Sequence, residues 1–429
     1  MDDEEKVAAV LRKARRIEYV PLDELRPALR NPKKHAEEQL DTSVGRFGYA
    51  EPVLLDERTG RLVAGHGRFE ALQRLQKKGG APPEGVDVDG ERWLVPVVRG
   101  WASKNDREAE AYLVASNQIG TAGGWDTGPL AELLRELDKA NALAGVGFTD
   151  KELSKLLDAA VPAGGQEDLD EAPPAPAKAD TWVQPGDLFA LEEHRILCGD
   201  STKGDDVDRV MGKDKARICW TDPPWNIALD GEVSRGRKSK GREIQNDNLG
   251  EDFPQFVAAF VAEIKRVVLP GAPLYLAIAD DSLATVWNVL LEFGFHWSST
   301  LVWVKDVMNV GRRDYHGQHE VIWYGWQGDA PRLVKLEDRS QSDVWPMPRP
   351  RRSDDHPTMK PVELIVRSLK NSSRHGDICF EPFSGSGTTL MGCEATGRRC
   401  RAIELDPRYV QVALERWERW TGRKAKKVK

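Results

Sequence analysis

The chain has 429 residues, 40% of them hydrophobic and 31% charged, which suits two or three domains with ordinary cores. No apolar run approaches the ~20 residues that span a bilayer, and the acidic start, Met1 to Lys6, lacks the apolar stretch of a secretory signal. The five cysteines (Cys198, Cys219, Cys379, Cys393, Cys400) show no C-x-x-C spacing. Neither a disulfide framework nor a zinc site is expected, no metal is implied, and a reducing cytoplasm fits. The net charge of -7 divides into -8 over residues 1–180 and +1 over 181–429. Basic residues of the second part are grouped: Arg235, Arg237, Lys238, Lys240 and Arg242; Arg349, Arg351 and Arg352; and the tail Arg423, Lys424, Lys426, Lys427 and Lys429. Such groups either neutralise phosphates or simply solvate loops and a tail.

The pattern predicts a helix over 3–16, then a short apolar strand, Glu51–Leu55, a turn at Thr59-Gly60 and a returning strand, Arg61–Ala64. Gly65-His66-Gly67-Arg68 follows, opening a helical stretch (FEALQRLQKK) that Gly79-Gly80 stops. Trp93–Val98 reads as a strand, and 104–118 and 129–159 as helices. Residues 159–180, rich in Ala, Pro and acids without apolar periodicity, read as a flexible, partly extended tether that buries no core. Beyond it strands and helices alternate. Expected strands are Arg217–Thr221, Pro273–Ile278, Thr300–Val304, Glu320–Tyr324, Asp377–Phe380 and Arg399–Ile403. Expected helices are Phe253–Val268, Ser282–Phe293, Pro361–Asn371, Thr388–Thr396 and Pro407–Thr421. This alternation predicts a parallel-rich sheet wrapped by helices, with ligands at the carboxyl ends of its strands.

Several signals stand at those strand ends. Thr221-Asp222-Pro223-Pro224-Trp225 follows the strand ARICW. An acid and two prolines there make a rigid turn that points the Asp222 carboxylate and the Pro223 carbonyl the same way. Both are acceptors and match the two hydrogens of an exocyclic amino group; Trp225 offers a flat face for a base. The alternative is a structural turn with a capping Asp. Phe380-Glu381-Pro382-Phe383-Ser384-Gly385-Ser386-Gly387-Thr388-Thr389 runs from a strand through a Gly-rich turn into a helix, where backbone can approach a ligand. Its spacing is neither G-x-G-x-x-G nor a phosphate-binding G-x-x-x-x-G-K-[ST]. Ala402-Ile403-Glu404-Leu405-Asp406 ends the next strand, with Glu404 placed for ribose hydroxyls and Asp406 as a helix cap before Pro407. His356-Pro357-Thr358-Met359-Lys360-Pro361 precedes a helix, and Cys198-Gly199-Asp200-Ser201 follows the strand HRIL.

In combination, TDPPW at 221–225, HPTMKP at 356–361, FEPFSGSGTT at 380–389 and AIELD at 402–406 resemble the amino-methylating DNA methyltransferases of the β arrangement, over about residues 181–422. Glu381 stands where that family more often has Asp. The resemblance implies an α/β, Rossmann-like S-adenosylmethionine-dependent methyltransferase sheet. It implies S-adenosylmethionine bound by Glu381, Phe383, Gly385, Gly387 and Thr388, with Glu404 on its ribose, Asp200 near its adenine and Lys360 near its methionine end. Asp222, Pro223, Pro224 and Trp225 would be catalytic, holding the amino group of a base flipped out of double-stranded DNA. Asp at position 222 usually accompanies N6-adenine in this family and Ser N4-cytosine, so adenine is expected and N4-cytosine is the alternative. Methylation of RNA or of a protein amide is a further option, although the amide enzymes usually carry Asn where Asp222 stands. Recognition of the DNA sequence is expected from 226–247 and 308–355, with Arg235, Arg237, Lys238, Lys240, Arg312 and Arg313 as DNA-binding candidates beside His316, Arg332, Lys335 and Arg339.

Residues 17–118 resemble the ParB N-terminal (sulfiredoxin-like) domain, carried by IEYVPLDELRPALRNPKKH and GYAEPVLLDERTGRLVAGHGRFEALQRL. Where partition proteins have G-E-R-R this chain has Gly65-His66-Gly67-Arg68, an anion site at a helix start or a scaffold without nucleotide chemistry. The expected organisation is a small α+β domain over 1–118, a helical extension over 119–158, the tether over 159–180, a methyltransferase domain over 181–422 and a basic tail over 423–429. Expected partners are double-stranded DNA, a nucleotide at the first domain and a second copy of the chain, with no membrane; a restriction-modification setting is compatible, and the sequence does not give whether a restriction enzyme accompanies the chain. The competing function from another class is a nucleotide-gated, ParB-like DNA-binding protein.

Overall fold

The computed structural model describes residues 14–140, 142–159, 169–226, 249–309, 314–328, 330–336, 338–350 and 359–428. Two compact units, 1–160 and 161–429, divide the chain.

The first unit contains β1 (Arg16–Pro21), α1 (Glu37–Phe47), β2 (Val53–Asp56), β3 (Arg61–Ala64), α2 (His66–Lys77), β4 (Asp87–Asp89), β5 (Arg92–Trp101), α3 (Asp106–Ala122), α4 (Thr127–Lys139) and α5 (Asp150–Ala159). Its sheet runs β1-β5-β2-β3, with β4 on β5. The expected hairpin is β2–β3, turned at Gly60 with φ 64°. Val53, Leu62, Phe69, Leu72, Val95 and Val97 form its core. The single helix expected over 129–159 is two, α4 and α5, because Gly145 and Gly147 hold positive φ between them. The helix expected over 3–16 lies outside the described residues up to 13, and Arg16 already begins β1.

The second unit contains β6 (Leu188–Leu191), β7 (His194–Cys198), α6 (Gly204–Met211), β8 (Ile218–Thr221), α7 (Phe253–Val267), β9 (Pro273–Ile278), α8 (Leu283–Glu292), β10 (Phe295–Asn309), β11 (Gly317–Gln327), β12 (Val344–Pro346), α9 (Val362–Ser372), β13 (Ile378–Glu381), α10 (Thr388–Thr396), β14 (Arg399–Glu404), α11 (Pro407–Thr421) and β15 (Lys426–Val428). They make one ten-stranded sheet in the order β12-β10-β11-β9-β8-β13-β14-β7-β6-β15. The central five, β9-β8-β13-β14-β7, are mutually parallel. Strand residues alternate between two cores, as a pleat with both faces covered requires. Ile218 and Trp220 of β8 meet the face carrying α9, α10 and α11, and Cys219 meets the face carrying α6, α7 and α8. The five cysteines are buried thiols.

Two expectations change here. Residues 169–171 are not tether: Leu169 lies in the core under α9 and α11, and its carbonyl accepts from the buried Arg416 guanidinium at 2.5 Å. One leucine among prolines and acids has no periodicity, so only packing reveals it. The basic tail is also structured. β15 pairs antiparallel with β6, and Arg423, Lys424 and Lys427 pair with Glu192 and Glu394, Glu418, and Asp187. Those cations are already spoken for within the unit. No helix among the described residues is long and apolar enough to cross a membrane.

Candidate active site

The chain leaves β8 through α7 to β9 on one side, and leaves β13 through α10 to β14 on the other. Strand order therefore reverses between the neighbours β8 and β13, which opens a crevice at their carboxyl ends. Asp222 follows β8, the Gly-rich turn follows β13, Glu404 ends β14 and Asp200 follows β7. Four adjacent parallel strands thus deliver four of the expected segments to one edge.

The Gly-rich turn is held by its own acids. Glu381 is buried; Oε1 accepts from Phe383 N at 3.0 Å and Oε2 from the Thr389 hydroxyl at 2.7 Å. Burial pushes its carboxyl up to about 8, against those two donors and Thr221, while Asp222 adds to the rise. Glu404 is partly exposed; Oε2 accepts from Gly385 N at 2.7 Å and Oε1 from Asp406 N at 2.9 Å. Burial pushes Glu404 up to about 7. Gly385 (φ 51°) and Gly387 (φ 83°) need the left-handed region that favours glycine. A Cβ at Gly387 would stand 2.8 Å from that of Ala413, whereas one at Gly385 would meet nothing within 4 Å. The turn thus packs tightly behind and leaves room in front, where Glu404 faces: a cradle that fits a nucleoside with ribose hydroxyls. Phe383 packs edge-on against Phe260 at 5.1 Å. The Thr388 hydroxyl faces away, accepting from Arg416 at 3.4 Å. Asp200 Oδ1 accepts from Thr202 N at 3.0 Å, and Lys203 lies 3.3 Å from its other oxygen.

The acidic turn after β8 is fixed by residues that its motif does not contain. Asn226, at φ 59°, accepts from Leu249 N at 2.6 Å and Gly250 N at 3.0 Å, and Ser282 donates to the Trp225 carbonyl. Lys360 Nζ stands 2.5 Å from Asp222 Oδ2, 3.1 Å from Glu320 Oε2 and 4.7 Å from the centre of the Trp225 ring. Lys305 closes on the other oxygen of Glu320 at 2.6 Å. Lys360, placed by the resemblance near the methionine end of a cofactor, is thus set directly on the catalytic candidate. Asp222 Oδ1 meets no donor in hydrogen-bond geometry among the described residues. Burial pushes the Asp222 carboxyl up, Lys360 opposes it, and Glu320 adds to the rise.

Glu320 and Lys305 were not singled out in the sequence. Each sits at the end of an apolar strand run, HEVIWY and LVWVK, and that position was their only signal. Among the DNA-binding candidates, Arg235, Arg237, Lys238, Lys240, Arg312 and Arg313 lie outside the described residues. In the first unit, Gly65 caps α2 at φ 89°, and the buried His66 accepts from Ala28 N through Nε2 at 3.1 Å. Burial lowers its pKa. A Cβ at Gly67 would press on Leu40 at 2.8 Å, and Arg68 is paired with Glu51.

The family profile described as DNA methylase, covering the N6 and N4 enzymes, matches residues 216–415. The type II methyltransferase M2.MboI of Moraxella bovis is 24% identical over 222 residues, covering 48% of this chain and 81% of its own length. M.HpaI of Haemophilus parainfluenzae is 24% identical over 247 residues, covering 52% and 74%. Among solved structures, M1.HpyAVI in complex with SAM is 22% identical and covers 52% of this chain and 98% of its own, with a TM-score of 0.39. The PvuII DNA methyltransferase (cytosine-N4-specific) is 14% identical and covers 55% and 90%, with a TM-score of 0.42.

Proposed function

We propose that residues 216–415, which match the N6/N4 DNA methylase profile, form a methyltransferase domain and that the chain methylates the N6 amino group of adenine at a defined site in double-stranded DNA. The observation that carries this reading is the Asp222 carboxylate at the end of β8, directly beside the Gly-rich cradle at the end of β13. S-adenosylmethionine is the cofactor and supplies, when bound, an electrophilic methyl group on a positively charged sulfur. Glu404 accepts its ribose hydroxyls, and the open front of Gly385 lets backbone come close. Phe383, braced by Phe260, closes the apolar side of the cradle.

The amine's lone pair is delocalised into the ring, so the protein's task is to return it to nitrogen. Asp222 and the Pro223 carbonyl accept the two N–H groups and draw nitrogen out of the ring's plane of conjugation. Trp225 stacks on the extruded base. Holding the amino group in one orientation by Asp222, the Pro223 carbonyl and Trp225 would contribute several kcal/mol, on the order of effective molarity effects. One N–H proton leaves nitrogen to the Asp222 carboxylate and from there to water. Adenine is preferred to cytosine because an Asp stands at position 222, as the sequence resemblance implies.

Mass analysis of nucleosides from duplex DNA incubated with the protein should find N6-methyl-2′-deoxyadenosine; N4-methyl-2′-deoxycytidine would replace the adenine reading. Asp222→Ala is expected to reduce methyl transfer by at least ~100-fold with cofactor binding retained. Full activity in that variant would overturn the assignment of Asp222.

A further inference from the structure

Four charged side chains from four different elements form one unbroken line beneath the base-binding turn. Lys305 of β10 meets Glu320 of β11 at 2.6 Å, Glu320 meets Lys360 at 3.1 Å, and Lys360 meets Asp222 at 2.5 Å. The lysine side chains are 5% and 4% exposed, so water screens these contacts little. Neutralising Asp222 alone would need one lysine. Instead the ammonium beside Asp222 has a second carboxylate within reach, and that carboxylate is itself balanced by a second lysine.

The arrangement creates a conflict that the transfer step must resolve. Asp222 Oδ2 is an acceptor that the base's amino group needs, and Lys360 is hydrogen-bonded to it. An ammonium fully committed to Asp222 would compete with the base; an absent one would leave a buried carboxylate unpaired. We propose that Glu320 is a positioning residue of methyl transfer: a second seat for the Lys360 ammonium, which neutralises Asp222 while no base is bound and shifts its weight onto Glu320 when the flipped base's amino group takes the Asp222 carboxylate. Lys360 already spans both carboxylates, so the shift needs no backbone movement. This role rests on the reading of the site as an amino-methyltransferase.

The electrostatics agree. Burial works to raise the Glu320 carboxyl, but Lys360 and Lys305 outweigh it and hold it below its usual range. Burial works to lower the Lys360 ammonium, but Asp222 and Glu320 outweigh it and hold it above its usual range. The groups facing Asp222 are Lys360 ahead of α9, Glu320 of β11, Glu381 of β13 and the Trp225 indole of its own turn. Glu320 raises the Asp222 carboxyl and Lys360 lowers it, so removing each must move Asp222 in opposite directions.

The test uses the full chain with labelled S-adenosylmethionine and unmethylated duplex DNA of mixed sequence. It measures kcat against pH, KM for DNA and cofactor affinity for the wild type, Glu320→Gln, Glu320→Asp and Lys360→Met. Glu320→Gln should bind cofactor within about twofold of wild type and lose about 10- to 100-fold in kcat. The acid limb of its kcat profile should move to lower pH, because Lys360 then serves Asp222 alone. Lys360→Met should move that limb to higher pH. Glu320→Asp keeps the charge at shorter reach, so it should recover part of kcat and return the limb toward wild type; it also serves if the Gln variant does not fold. Wild-type kcat and an unmoved limb in Glu320→Gln would overturn this role alone, and so would a loss of kcat with the limb unmoved. Absence of methyl transfer by the wild-type chain would overturn the reading of the site and this role with it.

Discussion

Glu404 is the carboxylate through which the proposed cofactor site can be read. Its folded pKa of about 7 lies above the ordinary value of 4.5 because burial disfavours the anion. The sign follows from linkage. A raised acid contributes stability that is present below about pH 4.5 and lost as pH rises through about 7. Glu381, pushed up to about 8, adds a second loss that also begins near pH 4.5 and runs on through about 8. Ribose hydroxyls donate to the ionised form, so binding should release a proton from Glu404. Cofactor affinity is therefore expected to rise between about pH 6 and 8, with proton release visible as a buffer-dependent heat in titration calorimetry. Glu404→Gln should weaken binding by about 10- to 100-fold, the ~1.5–3 kcal/mol of a hydrogen bond to a charged group. It should also remove the rise of affinity around pH 7. An unchanged affinity and pH profile in that variant would place the ribose elsewhere.

At the scale of elements, the segment 169–171 behaves as a strap on the second unit. Leu169 enters the core, Asp170 accepts from Val362 N at 2.7 Å at the start of α9, and Glu171 meets Arg419 of α11 at 3.4 Å. Arg416 joins this strap to the Gly-rich turn, donating to the Leu169 carbonyl and to the Ser386 carbonyl at 3.1 Å. Burial lowers the Arg416 pKa to about 10, and Asp170 offsets part of that cost. Leu169→Ala should cost about 2–4 kcal/mol of unfolding free energy, as for a buried leucine, read from the denaturant midpoint of the second unit. A tether residue would cost nothing measurable, so an unmoved midpoint would return 169–171 to the linker.

For the whole molecule, the division at 160 places every residue of the proposed methyl-transfer site in the second unit. Among the described residues, the cores on both faces of its sheet are built from that unit. A polypeptide of residues 161–429 should bind S-adenosylmethionine within a few-fold of the full chain and methylate duplex DNA. Loss of cofactor binding in a folded 161–429 fragment, checked by its circular dichroism, would show that the first unit completes the site.

Much of the second unit was legible in the sequence because its determinants are local. Apolar runs of four to six residues with both faces buried set β8, β9, β13 and β14, and Asp406 before Pro407 set the start of α11, where its side chain accepts from Arg408 N. The glycines of FSGSG marked a turn that needs positive φ at Gly385 and Gly387. These depend on neighbours in sequence, so the residue string determines them. What only the tertiary structure decided are contacts between distant segments. Lys360 reaches Asp222 across 138 positions, and Arg416 reaches Leu169 across 247. Glu320 and Lys305 stand at the ends of apolar strand runs with no motif to mark them, and the basic tail fits phosphate contacts or solvation equally. Buried charge must be balanced by whatever charge the fold brings near, and no local pattern encodes which charge that will be.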